Sequence, residues 1–347
     1  MRKMASVQVV RDITPIEGAD SIELARILGW NVVVKKCEFK VGDRVVYCEI
    51  DSLLPEKPEY EFLRKSSWRA PITANGVTIQ RGGFKIKTIK LRGQVSQGLA
   101  LPLSVLDGAQ RNVGDDVSEV IDVIKYESAA SLGLVAGCSG RSKGTFPCFF
   151  SKTDEERIQV RPEILSIIGS MQVVITEKLD GTSMTAFLVN GEFGLCSRNL
   201  WLDETDNGHQ IVRYADENGV REKLQKLSER LGFEVCVQGE LIGPGIQGNK
   251  YGLKKREFRV FNLVRSAGNH KVDPVLVEGF FDVVPALGTA RLDGLGDDPI
   301  SKLVDISRGK SLLNPQTVRE GLVIRATDNQ SLSFKVINPD FLLKNDD

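Results

Sequence analysis

The chain has 347 residues, 41% of them hydrophobic and 27% charged, with 46 basic side chains against 46 acidic ones. That length holds two domains of ordinary size, each with a real core, and the zero net charge gives no global sign of a polyanionic partner. No apolar run approaches the ~20 residues of a membrane span, and the N-terminus lacks the apolar stretch of a signal peptide, so the expectation is a soluble, intracellular protein. Six cysteines (Cys37, Cys48, Cys138, Cys148, Cys196 and Cys236) form no C-x-x-C pair, and the only histidines are His209 and His270. A structural zinc site is therefore not expected, and the thiols read as reduced.

In chain order, residues 5–125 alternate short β-rich runs with turn residues. Strands are expected at 7–10, 31–34 and 41–47, the last entered through a Gly42-Asp43 turn. Residues 83–89 alternate apolar and basic side chains and predict one half-buried strand. Many short strands at close spacing indicate a small closed barrel of OB-like type over 1–125, with an SH3-like barrel as the competitor. Residues 126–150 are rich in Ser, Gly and Ala and read as a linker or mobile loop. Lys152-Thr-Asp-Glu-Glu-Arg157 then predicts a helix running to about Gly169, with Thr153 as N-cap and Glu156 completing a capping box. From 170 onward strands are expected at 172–178, 183–189, 234–241, 258–264 and 321–325. A helix is expected over 216–231, ended by Gly232. The second domain, 151–347, is thus α+β with a largely antiparallel sheet.

Chemistry concentrates in that second domain. Lys178-Leu179-Asp180-Gly181 places an amine beside a carboxylate and a tight turn. Downstream stand Ser197-Arg198-Asn199, Gln238-Gly239-Glu240-Leu241, Phe258-Arg-Val-Phe261-Asn262, Glu320-Gly-Leu-Val-Ile324 and Ser333-Phe-Lys335-Val336. A lysine attacks phosphorus only as the neutral amine, so its ordinary affinity for a proton must be reduced. A neighbouring divalent cation and desolvation both do this. Carboxylates must then hold the cation, often through its waters. Asp180, Glu240 and Glu320 suit that role. Lys335 suits charge developing on a phosphate, and Phe261 suits a stacked purine. Phe258 and Phe261 are three apart in a strand and face opposite sides, so one belongs to the core.

In order and spacing these motifs resemble the nucleotidyltransferase motifs of covalent ligases and mRNA capping enzymes. The stretch Lys40–Pro55, with Gly239–Gln247, resembles the nick-sealing RNA ligase family whose N-terminal domain is OB-like. The resemblance implies an ATP-dependent RNA ligase that carries AMP on Lys178, joins 3′-OH to 5′-phosphate ends and uses Mg2+ or Mn2+. It implies Lys178 as nucleophile and Asp180, Glu240, Glu320 and Lys335 as its catalytic company. Asp180, Glu240 and Glu320 would hold the metal. Glu177 (the backbone around it reading adenine), Lys178, Gly181, Arg198, Glu240, Phe261 and Lys335 would bind the nucleotide. Many relatives carry Lys-x-Lys in the last motif; here Lys335 is flanked two residues away by Ser333 and Ile337, so a second cation comes from elsewhere, such as Lys344, or the triphosphate goes without it.

With twelve residues after Lys335, the C-terminal OB domain of capping enzymes and most DNA ligases is not expected, which argues against both readings. Between Glu61 and Asp107 no acidic residue occurs, while Arg64, Lys65, Arg69, Arg81, Lys85, Lys87, Lys90 and Arg92 do. Lys85, Lys87, Lys90 and Arg92 form the candidate RNA-binding set, with Trp68 and Phe84 as candidate stacking residues. The expected partner is RNA, in a duplex with a bridging strand, and the expected state is a monomer. The competing readings are a capping-type guanylyltransferase, a DNA nick-sealing ligase and a catalytically silent RNA-binding protein.

Overall fold

The computed structural model describes residues 2–74, 76–129, 132 and 140–345. The chain divides into two compact units, Met1–Leu134 with Leu342–Asp347, and Val135–Phe341.

The first unit is built on an antiparallel sheet in the order Leu99–Pro102, Arg44–Cys48, Ala5–Pro15, Ile22–Ile27, Trp30–Lys35. Ala5–Pro15 serves two neighbours in turn. Its first half pairs with Arg44–Cys48 and its second half with Ile22–Ile27, with a bulge between Val10 and Asp12. An extra residue bends a strand and sharpens its twist, which is how a short sheet curls toward closure. Gly42 holds the expected turn at a φ of 94°, which favours glycine. Short strands Ile124–Lys125, Ser52–Leu54, Gly83–Lys85 and Trp68–Arg69 form a second sheet. Val7, Val46, Leu54, Tyr60, Phe84 and Ile121 fill the core of the unit.

The expected strand over 83–89 is two elements. Gly83–Lys85 ends in the short sheet, and Thr88–Leu91 pairs with Gln94–Gln97 as a separate hairpin. The break falls at Ile86, whose N–H donates to the Ser52 carbonyl while its own carbonyl accepts from the Asp51 N–H.

The second unit holds two sheets. The larger runs Ser142–Thr145, Leu200–Leu202, Glu192–Cys196, Thr182–Val189, Val235–Ile242, Glu257–Arg265, His270–Val272, with Asp282–Val283 parallel to Glu257–Arg265. Helices Gln210–Glu217 and Val220–Leu231 cover one face, burying Ile211, Leu224 and Leu227 against Met184, Val237 and Leu263. The smaller sheet runs Ala286–Ala290, Val173–Lys178, Gly321–Ala326, Ser333–Ile337. Helices Ile164–Ile168 and Pro299–Ser307 pack on it.

Three expectations change here. The helix over 152–169 is only Ile164–Ile168. Residues 154–158 run extended beside Lys335: the Lys335 N–H donates to the Glu156 carbonyl at 2.8 Å, and the Ile158 N–H to the Lys335 carbonyl at 3.1 Å. The charges in this run alternate, Glu155 half-buried between exposed Asp154 and Glu156, which is a strand period. Pro162 disfavours helix at the residue before it. The helix over 216–231 is two helices broken at Gly219, which sits at φ 58°; Gly232 ends the second as expected. Part of the supposed linker is structured: Ser142–Thr145 pairs with Leu200–Leu202, and Phe146 and Phe150 are buried with Phe187. Residues 130, 131 and 133–139 of that stretch, Cys138 included, lie outside the described residues.

Cys48, Cys196 and Cys236 are buried free thiols, and burial pushes Cys48 and Cys196 up to about 12. Among the described residues no helix is long and apolar enough to cross a membrane.

Candidate active site

Lys178 ends the central strand of the smaller sheet, paired with Gly321 across from it. Gly321 has no room for a side chain, since a Cβ there would stand 2.3 Å from the Val336 carbonyl oxygen. The residue before it, Glu320, therefore sits beside the lysine, and Lys178 Nζ donates to Glu320 Oε1 at 2.7 Å. The chain then crosses to the larger sheet through Leu179, Asp180 and Gly181. Leu179 is buried with Ile242, Tyr251 and Val284. A Cβ on Gly181 would stand 2.4 Å from the Leu241 carbonyl oxygen, so the crossing needs glycine. Beyond it Ser183 pairs with Glu240. Two sheets thus place Lys178, Glu320 and Glu240 around one point.

Their charges are strongly coupled. Burial and the neighbouring Glu320 and Asp180 push the Glu240 carboxyl up to about 8, against the pull of Lys178. Burial also raises Glu320. Burial acts to lower Lys178, but Glu320 and Glu240 outweigh it and hold the ammonium above its ordinary value. Burial, with Lys178 and Arg157, brings Lys335 down to about 7.

Among the described residues no three His, Cys, Asp or Glu side chains converge to hold a metal ion directly. The carboxylates nevertheless fit a hydrated cation. Glu320 Oε2 is buried without a protein partner, and Glu240 lies near enough to Glu320 and Asp180 for their charges to act on it. Asp180, the third carboxylate expected at the metal, is itself held in place. Its carboxylate pairs with Lys250, and its N–H donates to Tyr251 Oη at 2.7 Å, so the segment 250–251 grips the crossing turn.

At Glu177 the backbone N–H donates to the Pro285 carbonyl at 2.8 Å. The residue is 1% exposed; its carboxylate accepts from the Leu312 N–H through Oε2 and leaves Oε1 buried and unpartnered. Phe258 lies in the core beside the helices, while Phe261 packs toward Leu179 and Tyr251. Ordinary alternation along the strand gives this, and a bulge follows directly: Gln238 pairs with Asn262 and Gly239 with Val260, leaving Phe261 as the extra residue. Arg198 stands in the turn after Cys196 and pairs with Asp154 at 2.6 Å, both well exposed.

In the first unit the basic residues do not share one face. Lys85 is buried, its ammonium 5.0 Å from the Tyr126 ring centre. Lys90 and Arg92 are exposed on the Thr88–Gln97 hairpin, and Lys87 precedes it half-buried. Phe84 is fully buried and cannot stack on a base; Arg64 lies over the Trp68 ring at 4.8 Å. Sequence reasoning missed Arg157, Lys250 and Arg325, each of which reaches the site through a pairing distant in sequence.

Residues 4–103 match the family model described as an OB-fold domain, and residues 171–337 match the one described as RNA ligase. Naegleria gruberi RNA ligase with PPi is 36% identical over 100% of this chain and 99% of that one, with a TM-score of 0.86. The chain belongs to the RNA ligase family. A glutamate-to-alanine mutant of the same Naegleria enzyme with ATP and Mn is likewise 36% identical, covers 100% of each chain and gives a TM-score of 0.85. A lysine-to-methionine mutant with AMP and Mn gives 36%, full coverage of both chains and 0.86. No curated protein matches. As in the ligase's relatives, an OB-fold domain precedes an antiparallel-sheet ligase domain, and the chain is an enzyme of this class.

Proposed function

We propose that the chain seals RNA in three nucleotidyl-transfer steps, using ATP. Lys178 Nζ attacks the α-phosphorus of ATP, a P–N bond forms and pyrophosphate leaves. The AMP moves to an RNA 5′-phosphate, the P–N bond breaking as a phosphoanhydride forms. An RNA 3′-OH then attacks the 5′-phosphate and AMP leaves. The Lys178–Glu320 pair at 2.7 Å, with Glu240 and Lys335 beside it, carries this reading. The ATP, AMP, PPi and Mn named for the Naegleria structures support it.

The residues divide the work. Glu240 and Glu320, with Asp180 behind them, would hold a divalent cation, Mg2+ or Mn2+. That cation would supply the positive charge that makes Lys178 release its proton. Lys335 meets the α-phosphate, and Arg157, paired beside it, supplies the second cation expected from a Lys-x-Lys motif. Phe261 stacks on adenine, and the unpartnered Glu177 Oε1 accepts from the adenine amino group. Arg198 faces the ribose or the RNA end. The domain at 1–125 holds RNA through Lys87, Lys90 and Arg92. Sealing takes place at a nick in a duplex with a bridging strand, and the protein works as a monomer.

The test is incubation with α-labelled ATP or GTP and Mg2+ or Mn2+, then a denaturing gel. Label from ATP that resists denaturation, needs the metal and vanishes in Lys178→Ala is expected. That variant should still close some pre-adenylylated strands. Label from GTP alone would point to a capping-type enzyme, no label from either to a silent binder. Efficient sealing of all-DNA nicks, with RNA 3′-OH strands no better, would favour the DNA-ligase reading.

A further inference from the structure

Arg325 sits on the strand Gly321–Ala326 of the smaller sheet, 6% exposed. It reaches across to the larger sheet, where its Nη1 donates to the Phe261 carbonyl at 2.6 Å. Its Nη2 donates to Glu155 Oε1 at 3.1 Å. Glu155 is held from two further directions: Ser333 Oγ donates to its Oε2 at 2.7 Å, and Lys271 Nζ stands 3.7 Å from Oε1. Burial works against this carboxylate, yet Lys271 and Arg325 keep it below the ordinary range, so the pair is charged on both sides.

The acceptor at Phe261 is unusual. Phe261 is the bulge residue, the one that finds no pair on the neighbouring strand. A bulge residue lacks the ladder that fixes its neighbours, so its ring direction depends on other restraints. The guanidinium supplies one from the opposite sheet. The same fork holds Glu155, two residues before the Arg157 that lies beside Lys335. One buried side chain thus ties the adenine face to the segment at the phosphate end.

We propose that Arg325 is a positioning residue: through the Phe261 carbonyl it fixes the ring on which adenine stacks relative to the Lys178 strand. This rests on the reading of Phe261 as the adenine platform. Lysine at 325 would keep the charge but lose the planar fork that serves two acceptors at once.

The experiment measures lysyl-AMP formation against ATP concentration for the wild type, Arg325→Lys, Phe261→Ala and the double variant, with thermal melts alongside. Arg325→Lys should raise the half-saturating ATP concentration about tenfold, as expected for a misplaced contact, with the saturating rate within about threefold. In the Phe261→Ala background the same substitution should change it by less than about twofold, because the effect runs through that ring. If Arg325→Lys does not fold, Glu155→Gln should shift the ATP dependence in the same direction, by about threefold. Unchanged half-saturation, or an equal shift with and without Phe261, would overturn the proposal while the ligase reading stands. A wild type that takes no label from ATP would sink both.

Discussion

Two phenylalanines three residues apart in one strand are set to do different work. Phe258 is 3% exposed among Tyr214, Phe281 and the helices, whereas Phe261 is only partly buried near Leu179. Phe258→Ala should therefore destabilise the fold by about 3–5 kcal/mol, the range for a deleted core aromatic. Phe261→Ala should leave the melting temperature nearly unchanged and weaken ATP use. Melts and ATP titrations of the two variants separate these outcomes, and a reversed pattern would exchange their roles. That Lys178, Glu240 and Glu320 are the residues to watch was legible in the sequence because each sits in a short contiguous motif whose turn geometry is local. Arg157, Lys250 and Arg325 were not legible. Their neighbours Lys335, Asp180 and Phe261 lie 64 to 178 positions away in the chain, and only strand pairing brings them together.

At the scale of elements, the helix Gln210–Glu217 begins at a histidine. His209 Nδ1 accepts the Ile211 N–H at 3.1 Å, which requires that nitrogen to be unprotonated. Burial, with Arg213 nearby, lowers the imidazole from its ordinary 6.5, against the pull of Asp206. The unfolded chain thus takes up the proton first as pH falls, and stability present above pH 6.5 is lost below it. Replacing His209 by Asn keeps a cap acceptor that does not titrate. Melting temperatures measured from above pH 6.5 to a unit below it should fall more steeply in the wild type than in His209→Asn; parallel profiles would clear His209 of this role. Most strands of the second unit were legible from period and turn residues. The charged run at 152–157 was not, because its capping-box pattern is local while its hydrogen bonds to the Lys335 strand are not. The break at Gly219 escaped notice because the apolar period continues across it from Tyr214 to Leu231.

For the whole molecule, overall neutrality means that any grip on RNA comes from local charge. Lys87, Lys90 and Arg92 cluster at one hairpin of the first unit. Each basic side chain taken off a phosphate should lower the slope of log affinity against log salt by about 0.7–0.9. Changing all three to Ala should lower it by about 2–3 and weaken binding at all sequences alike, with lysyl-AMP formation unaffected. A slope that stays put would remove this hairpin from the RNA surface.

The crossing at Leu179–Gly181 has a consequence for motion. Lys178, Glu320 and Lys335 belong to one hydrogen-bonded ladder; Glu240 and the strand that carries Phe261 belong to the other. Ladders of this kind tend to open as separate cooperative blocks. Without nucleotide, the slowest-exchanging amides should therefore fall into two groups with different opening free energies, one in Val173–Lys178 and Gly321–Ala326, the other in Val235–Ile242 and Glu257–Arg265. AMP fixed to Lys178 and stacked on Phe261 would bridge them and merge the two rates into one. Amide protection would then rise even in residues that never touch the nucleotide, making adenylylation a mechanical clamp on the domain as well as a chemical step.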